Sequence, residues 1–311
     1  MKKMYIALVT GAVGLLLASC SPTKPEPEKT VWKVYQLEPS RLGSPEELSR
    51  RFLGSLEPKE LDGKYQSSDP GDASVFFTQN AKTGDLSFSR SLKDYFSDKP
   101  STLPNPEESQ QRAVTFLREN KLLPADMTQF KLIHSGGLRM SYTTDNKPGP
   151  IIDKLHTLTF GRQIDGIAVQ GSGSKIVVQV GNGGEIVGLS RRWREAKPIR
   201  EVPPKELKSR ADAEREIRAL VAKEFPESSN VELTKVALAY HEDGGEFIQP
   251  AWQFTANLAV KEFRLQYFGA VPALDKPPEN IGPGQLDPAA LKMIKRIDPQ
   301  YLPKPNEKTG D

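Results

Sequence analysis

Hydrophobic positions recur along the chain with two different spacings. Three segments place apolar residues three and four positions apart, which is the spacing of a helix with one buried face. Each segment begins with a helix-capping residue, and these residues are Ser44, Asn105 and Ser209. The stretches between them alternate apolar and polar positions and turn through glycine, as antiparallel strands do. One helix followed by strands, three times over, predicts an α+β fold.

Proline clusters separate these blocks and predict the domain boundaries. We expect each module to pack one helix on its own antiparallel sheet. The expected segments are a signal peptide over 1–19, a lipid-anchored proline-rich tether over 20–40, an N-terminal α+β module over 41–100, a central α+β module over 101–200, a third α+β module over 204–275 and a mostly disordered tail over 276–311.

Two stretches 100 positions apart resemble each other. Residues 76–86 (FFTQNAKTGDL) and 176–186 (IVVQVGNGGEI) align without a gap, and both predict a hairpin that turns through glycine. The likeness indicates either divergence from one ancestral module or two hairpins that share common turn chemistry.

The N-terminal stretch from Tyr5 to Cys20 admits two interpretations. Its glycines at 10–14 are compatible with the phosphate-binding turn of a dinucleotide fold, but that turn must open a helix, and prolines follow at once. Lys2 and Lys3, the apolar run and the small residues before Cys20 fit an export signal instead. The run is also shorter than the roughly 20 apolar residues of a membrane-spanning helix.

Leu17-Ala18-Ser19-Cys20 resembles the lipobox of bacterial lipoproteins. The resemblance implies that Cys20 becomes the acylated first residue of the mature chain and attaches it to the membrane of the cell envelope. Ser21 implies an outer-membrane location if the organism has an outer membrane. The alternative is a plain secretory signal that ends in cysteine. Because Cys20 is the one cysteine of the sequence, the chain has no internal disulfide.

The mature chain has an almost balanced charge. The sequence holds 43 lysines and arginines against 40 acidic residues, and Lys2 and Lys3 leave with the signal, so that a net charge of +1 remains. This balance gives no indication of a polyanionic partner, and no nucleic-acid partner is expected.

Residues with catalytic potential are few and scattered. His134, His156 and His241 lack the spacing of metal ligands, and the sequence has no nucleophile elbow. We therefore expect no catalytic residues, no metal and no cofactor. Carboxylates from distant positions could still form a hydrolase pair, and this alternative stays open.

Arg191, Arg192, Trp193 and Arg194 form a concentrated basic and aromatic motif. Such a patch could bind an anionic glycan, a lipid headgroup or an acidic peptide through charge pairing and stacking. The alternative interpretation places Trp193 over the core, with the arginines solvated.

A longer motif resembles a known family. Residues 160–171 (FGRQIDGIAVQG), 176–180 (IVVQV) and 184–187 (GEIV) resemble the fungalysin–thermolysin propeptide and the related PepSY and YycI-type extracytoplasmic modules, over about residues 105–196. Residues 249–254 (QPAWQF) are similar to a PepSY strand. The resemblance implies a small cystatin-like α+β fold that acts by binding, as an inhibitory propeptide or as a regulator of envelope enzymes and sensors.

These features predict a lipid-anchored, extracytoplasmic envelope protein that is not an enzyme. We expect it to bind a protein partner, such as a protease or a sensor, through open sheet faces or edges. The alternatives are an envelope hydrolase that uses distant carboxylates, and a lipoprotein that binds cell-wall glycan near Trp193. Acidic side chains with raised pKa values in a deep pocket would favour the hydrolase, and exposed strand edges would favour the binding protein.

Overall fold

A computed structural model describes residues 7–9, 31–54, 56–97, 101–141, 143–144, 147–260 and 263–286. Cys20, most of the predicted signal peptide and tether, and the tail from residue 287 lie outside the described residues. The chain divides into two compact units. Unit 1 contains Lys33–Glu201 and Glu242–Ile248, and unit 2 contains Val202–His241 and the chain from Gln249 onward.

Most of the regular structure before residue 203 is strand. The helices there are α1 (Pro45–Leu53) and α2 (Pro106–Glu119). The strands, in chain order, are β1 (Ala7–Val9), β2 (Trp32–Glu38), β3 (Lys59–Leu61), β4 (Lys64–Asp69), β5 (Asp72–Asn80), β6 (Leu86–Ser89), β7 (Phe130–Ser141), β8 (Thr143–Thr144), β9 (Lys147–Pro148), β10 (Ile152–Ile164), β11 (Ile167–Gln170), β12 (Lys175–Val180), β13 (Ile186–Arg192) and β14 (Glu195–Val202).

Eight strands of unit 1 form one continuous antiparallel sheet. Their order is β3-β4-β5-β6-β13-β12-β10-β7. The aligned stretches at 76–86 and 176–186 are both hairpins, as predicted, and they join through their second strands. There Ser87 donates to Ser190, 103 positions further along the chain, at 3.1 Å. β11 pairs with β10, and β1 pairs with the end of β7.

Both helices of unit 1 pack into one hydrophobic core. Phe52 of α1 stacks on Phe88 of β6 with 4.6 Å between ring centroids. Phe116 of α2 contacts both of these rings. The same core contains Ala113 and Leu117 of α2, so the two helices share one sheet instead of covering one sheet each.

Unit 2 contains α3 (Arg210–Glu224), the strands β15 (Ser228–His241), β17 (Phe263–Pro272) and β18 (Gln285–Leu286), and β16 (Phe247–Val260) from Gln249 onward. β16 pairs with β15 on one side and with β17 on the other. α3 contributes Ala213, Ile217 and Val221 to the core of this unit, and these residues lie on one face of the helix.

The predicted fold of repeated modules, each with one helix on its own sheet, is wrong. β6 of the expected N-terminal module is hydrogen bonded to β13 of the expected central module, and one core serves both segments. Strands predominate among the described residues, with eighteen strands and three α-helices. Alternation in a sequence determines which face a residue takes, but it does not determine which distant strands pair.

The three predicted helix starts are confirmed. Ser44, Asn105 and Ser209 each accept a hydrogen bond from the backbone N–H three residues further on. α2 ends at Glu119, and Lys121 then takes a left-handed φ of 57°. Of the helices in the described part of the chain, none is long and apolar enough to cross a bilayer.

Candidate functional site

The structure places most of the predicted basic patch inside unit 1. Arg191 is 3% exposed, Trp193 1% and Arg194 4%, whereas Arg192 is exposed. Trp193 packs edge-on against Phe130 with 5.9 Å between ring centroids. Three of the four side chains are therefore unavailable to a ligand at the surface. Trp193 lies in the core, as the alternative interpretation had it, but Arg191 and Arg194 are buried with it.

Arg191 of β13 donates hydrogen bonds to two backbone carbonyls and to one serine hydroxyl. Its Nε donates to the Leu122 carbonyl at 2.8 Å, and its Nη1 donates to the Trp193 carbonyl at 2.6 Å and to Ser40 Oγ at 3.0 Å. Burial lowers the pKa of Arg191 to about 10, so the guanidinium stays charged at neutral pH. These bonds give Arg191 a structural function in unit 1.

A buried ion pair joins Arg194 to Glu242. Arg194 Nη2 lies 2.9 Å from Glu242 Oε1, with the two side chains 5% and 1% exposed. The other carboxylate oxygen accepts a hydrogen bond from Ser174. The backbone N–H of Glu242 donates to the Gln170 carbonyl at 2.9 Å. Sequence analysis missed Glu242, because its surroundings (HEDGGE, 241–246) are typical of an exposed turn.

Arg162 is the third buried arginine, and it is only partly hydrogen bonded. Its guanidinium lies 4.6 Å from the centroid of the Trp193 ring, and its Nη2 donates to the Arg194 carbonyl. Its Nε and Nη1 are buried without a hydrogen-bond partner. Burial lowers the pKa of Arg162, while the charge of Glu242 opposes that shift. Arg162 lies two positions from each of the buried residues Phe160 and Ile164, on the same face of the strand. This spacing is a sequence signal that could have predicted its burial.

The three histidines that the sequence analysis considered as metal ligands, His134, His156 and His241, lie on strands. Ser109 Oγ and His156 Nδ1 are 2.7 Å apart, which is the distance of a nucleophile from its base. Ser109, however, has no exposed surface, so a substrate cannot reach its hydroxyl. Within the described ranges, no group of three or more His, Cys, Asp or Glu side chains is placed to hold a metal ion.

Where the described carboxyl groups have a shifted pKa, the pKa is lowered, as hydrogen bonds from Ser74 and Ser91 lower that of Asp72 to about 2. A groove of about 500 Å³ along α2 contains Glu108 and Glu119 together with Arg112. A glycosidase acid needs a raised pKa instead.

β7 is an edge strand of the unit 1 sheet. β10 pairs along one side of it, and on the outer side β1 pairs only with residues 139–141. The outer main chain of residues 131–138, which we name the β7 edge, has no strand partner in the described part of the chain. From Leu132 to Leu138 it carries no lysine, arginine or acidic residue. Exposed edges are usually protected by such charges.

Two glycines lie in the middle of the β7 edge. A Cβ atom on Gly137 would lie 1.9 Å from the Leu155 carbonyl oxygen, so this glycine permits β10 to approach closely. A Cβ atom on Gly136 would lie 2.7 Å from Nε2 of His134. The imidazole therefore rests against the bare backbone of Gly136, on the same face of the strand.

No family model and no curated protein matches this sequence. Among solved structures, the chain is similar to the Bacillus megaterium YpeB C-terminal domain, with a TM-score of 0.34 and 13% sequence identity over 76% of this chain and 95% of that domain.

Proposed function

We propose that this chain is a lipid-anchored, extracytoplasmic protein of the bacterial envelope that binds an extended segment of another envelope protein, such as a protease or a sensor. The observation that supports the proposal is the outer side of the β7 edge, which has no strand partner among the described residues. Free N–H and C=O groups of an edge strand can accept a peptide as an additional strand. Main-chain hydrogen bonds then supply affinity, and side chains beside the new strand supply specificity.

The non-catalytic part of the proposal is supported by the groups that an enzyme would use. Ser109 of α2 is buried, although His156 lies beside it. The carboxyl groups with shifted pKa values favour their charged form. Binding to the partner, without chemistry, is therefore the proposed mode of action, and it regulates the partner by occupying one of its segments.

A photo-crosslinking amino acid at Leu132 is expected to capture one envelope protein in intact cells. Leu132 lies on the β7 edge and is 37% exposed. The matched control is Leu61, which is 57% exposed on the strand at the opposite end of the sheet, and it is expected to capture nothing. Capture of the same protein from both positions would contradict binding at the β7 edge.

Two proline variants test whether the main chain of the β7 edge makes the contact. Adjacent residues in an antiparallel strand direct their N–H groups to opposite sides. Of Ser135→Pro and Gly136→Pro, one variant loses a bond to β10 and is expected to melt at a lower temperature. The other loses only an outward donor, and it should keep its melting temperature and lose the crosslink. A crosslink retained by the stable variant would count against the proposal.

Cys20→Ala is expected to move the protein from the membrane fraction to the soluble fraction. The proposal makes this cysteine the site of acylation, and acyl chains stabilise membrane attachment by about 0.8 kcal/mol for each buried methylene. Fractionation and incorporation of an alkyne-labelled palmitate are the measurements. Ser21→Ala is the matched control and should stay acylated. Continued membrane attachment of Cys20→Ala would rule out the anchor.

A further inference from the structure

The groove of about 500 Å³ along α2 has three different side chains in a row, and we name it the α2 groove. Arg112, Phe116 and Glu119 line it from the helix, and their spacing of four and three positions places them on one side of α2. Gly184 and Ile186, at the beginning of β13, also line it. The α2 groove thus presents a cation, an aromatic ring and an anion one after the other.

Arg112 is held in the α2 groove by packing. A Cβ atom on Gly184 would overlap Cδ of Arg112, so the side chain of Arg112 lies directly on this glycine. Glu185, the next residue along the chain, pairs with Arg90 at 2.7 Å. Within the residues that the structure describes, Arg112 has no hydrogen bond and no ion pair. Its guanidinium is exposed and can therefore pair with a carboxylate of another molecule.

Phe116 and Glu119 add an apolar surface and an exposed carboxylate. Phe116 is half-buried, and its ring contacts those of Phe52 and Phe88, with centroids 5.9 and 6.1 Å away, so its position is fixed. Glu119, the last residue of α2, is exposed, and no cation of the described ranges lies within ion-pair distance of it. A ligand that complements this row carries an anion, an apolar group and a cation in the same order.

The spacing along α2 fits an extended peptide. With a rise of 1.5 Å per residue, Phe116 lies about 6 Å and Glu119 about 10.5 Å from Arg112 along the helix axis. Residues of a polyproline II segment advance about 3.1 Å each and repeat their direction at every third position. Two residues of such a segment therefore span about 6 Å, and three residues span about 9 Å, which matches the row.

We infer that the α2 groove binds an extended segment of another protein that has an acidic residue, an apolar residue two positions away and a basic residue three positions away. The acidic side chain pairs with Arg112, the apolar one packs on Phe116, and the basic one pairs with Glu119. Aromatic-lined grooves bind polyproline II segments because such a segment is already extended and loses little conformational freedom. The inference goes beyond the proposed function, since it assigns a second binding surface with none of the residues of the β7 edge.

Three peptides test the inference on the full-length chain. The charged peptide is acetyl-Pro-Glu-Pro-Leu-Lys-Pro-amide. A second peptide has glutamine in place of its glutamate, and a third has glutamine in place of its lysine. We expect the charged peptide to bind about two- to fivefold more tightly than either of the others at low ionic strength, the range that an exposed ion pair gives. Titrations followed by the amide shifts of α2 measure the three affinities.

Single variants assign each charge of the peptide to one side chain of the chain. Arg112→Gln is expected to lose the preference for glutamate in the peptide and to keep the preference for lysine. Glu119→Gln is expected to lose the preference for lysine and to keep the preference for glutamate. Arg118→Gln and Glu107→Gln are the matched controls, because they remove the same charges from exposed positions of α2 that do not line the groove. Both controls should keep both preferences.

Equal binding of the three peptides to the unmodified chain, or a preference for glutamate that survives Arg112→Gln, would overturn the inference. Failure of the charged peptide to shift the amides of α2 would also overturn it. The crosslink from Leu132 reports separately on the proposed function, which stands if the crosslink persists without any peptide bound at α2. A dimer that light scattering detects, and that Arg112→Gln or Glu119→Gln abolishes, would assign the α2 groove to a second copy and overturn the inference.

Discussion

Glu242→Gln is expected to lower the free energy of unfolding of unit 1 by about 3 to 5 kcal/mol, the cost of removing one partner of a buried ion pair. Glutamine keeps the shape of the side chain and removes its charge. Arg194 would then be buried without a counter-charge. Glu242 is 1% exposed, so water cannot reach this site to solvate the arginine. Arg162, whose pKa burial already lowers, would lose the charge that opposes this shift.

Chemical denaturation followed by tryptophan fluorescence measures this loss. The matched control is Glu246→Gln, four residues further along the same segment. Glu246 pairs with Lys82 at 2.6 Å, but the two side chains are 53% and 80% exposed, so the loss of this pair should leave the stability almost unchanged. Equal stability of the two variants would contradict the importance of burial. Replacing Arg194 and Glu242 together by apolar residues should recover most of the loss.

Trp193→Ala is expected to cost about 3 to 5 kcal/mol, as large-to-small changes of buried aromatic residues do. Trp193 is 1% exposed and contacts the ring of Phe130. Its ring also lies under the Arg162 guanidinium, so the substitution removes the surface on which a partly unbonded charge is packed. Thermal and chemical unfolding of the purified chain are the measurements.

Arg192→Ala tests whether the motif of residues 191–194 stabilises the core or binds a ligand at the surface. Arg192 is exposed next to the buried tryptophan, and its substitution should change stability by no more than about 0.5 kcal/mol. A motif that bound a ligand at the surface would show the opposite result, with lost binding in Arg192→Ala and an unchanged fold in Trp193→Ala. That outcome would contradict the buried position of Trp193.

Local features of the fold follow from the sequence because their causes lie within a few residues. The side chain of Ser44, Asn105 or Ser209 meets a backbone N–H only three positions away, so the motif itself determines where each helix begins. The strand β7 follows from the sequence for a similar reason. Its alternation and its flanking turns are visible in a short window.

Long-range features could not be predicted because their causes lie in distant parts of the chain. Arg194 is next to a tryptophan, and charged residues are seldom buried without a partner, so a surface position was expected. Its partner Glu242 stands 48 positions later, in a stretch that has no apolar pattern. The edge position of β7 depends likewise on the pairing of every other strand in the sheet. Of the three buried arginines, only Arg162 has a local sequence signal of burial, because it alternates with the apolar residues Phe160 and Ile164.

Unit 1 is completed by Glu242–Ile248, a segment that follows the strands of unit 1 by some forty residues of chain that belong to unit 2. During synthesis, Arg194 lacks its partner Glu242 until this segment arrives. Contacts between such distant positions also slow folding, because a long loop must close before they form. We therefore expect the newly made chain to fold more slowly than a protein of similar size whose contacts are mostly between nearby residues. For the extracytoplasmic location that we propose, slow folding would keep the chain extended while it passes through an export channel.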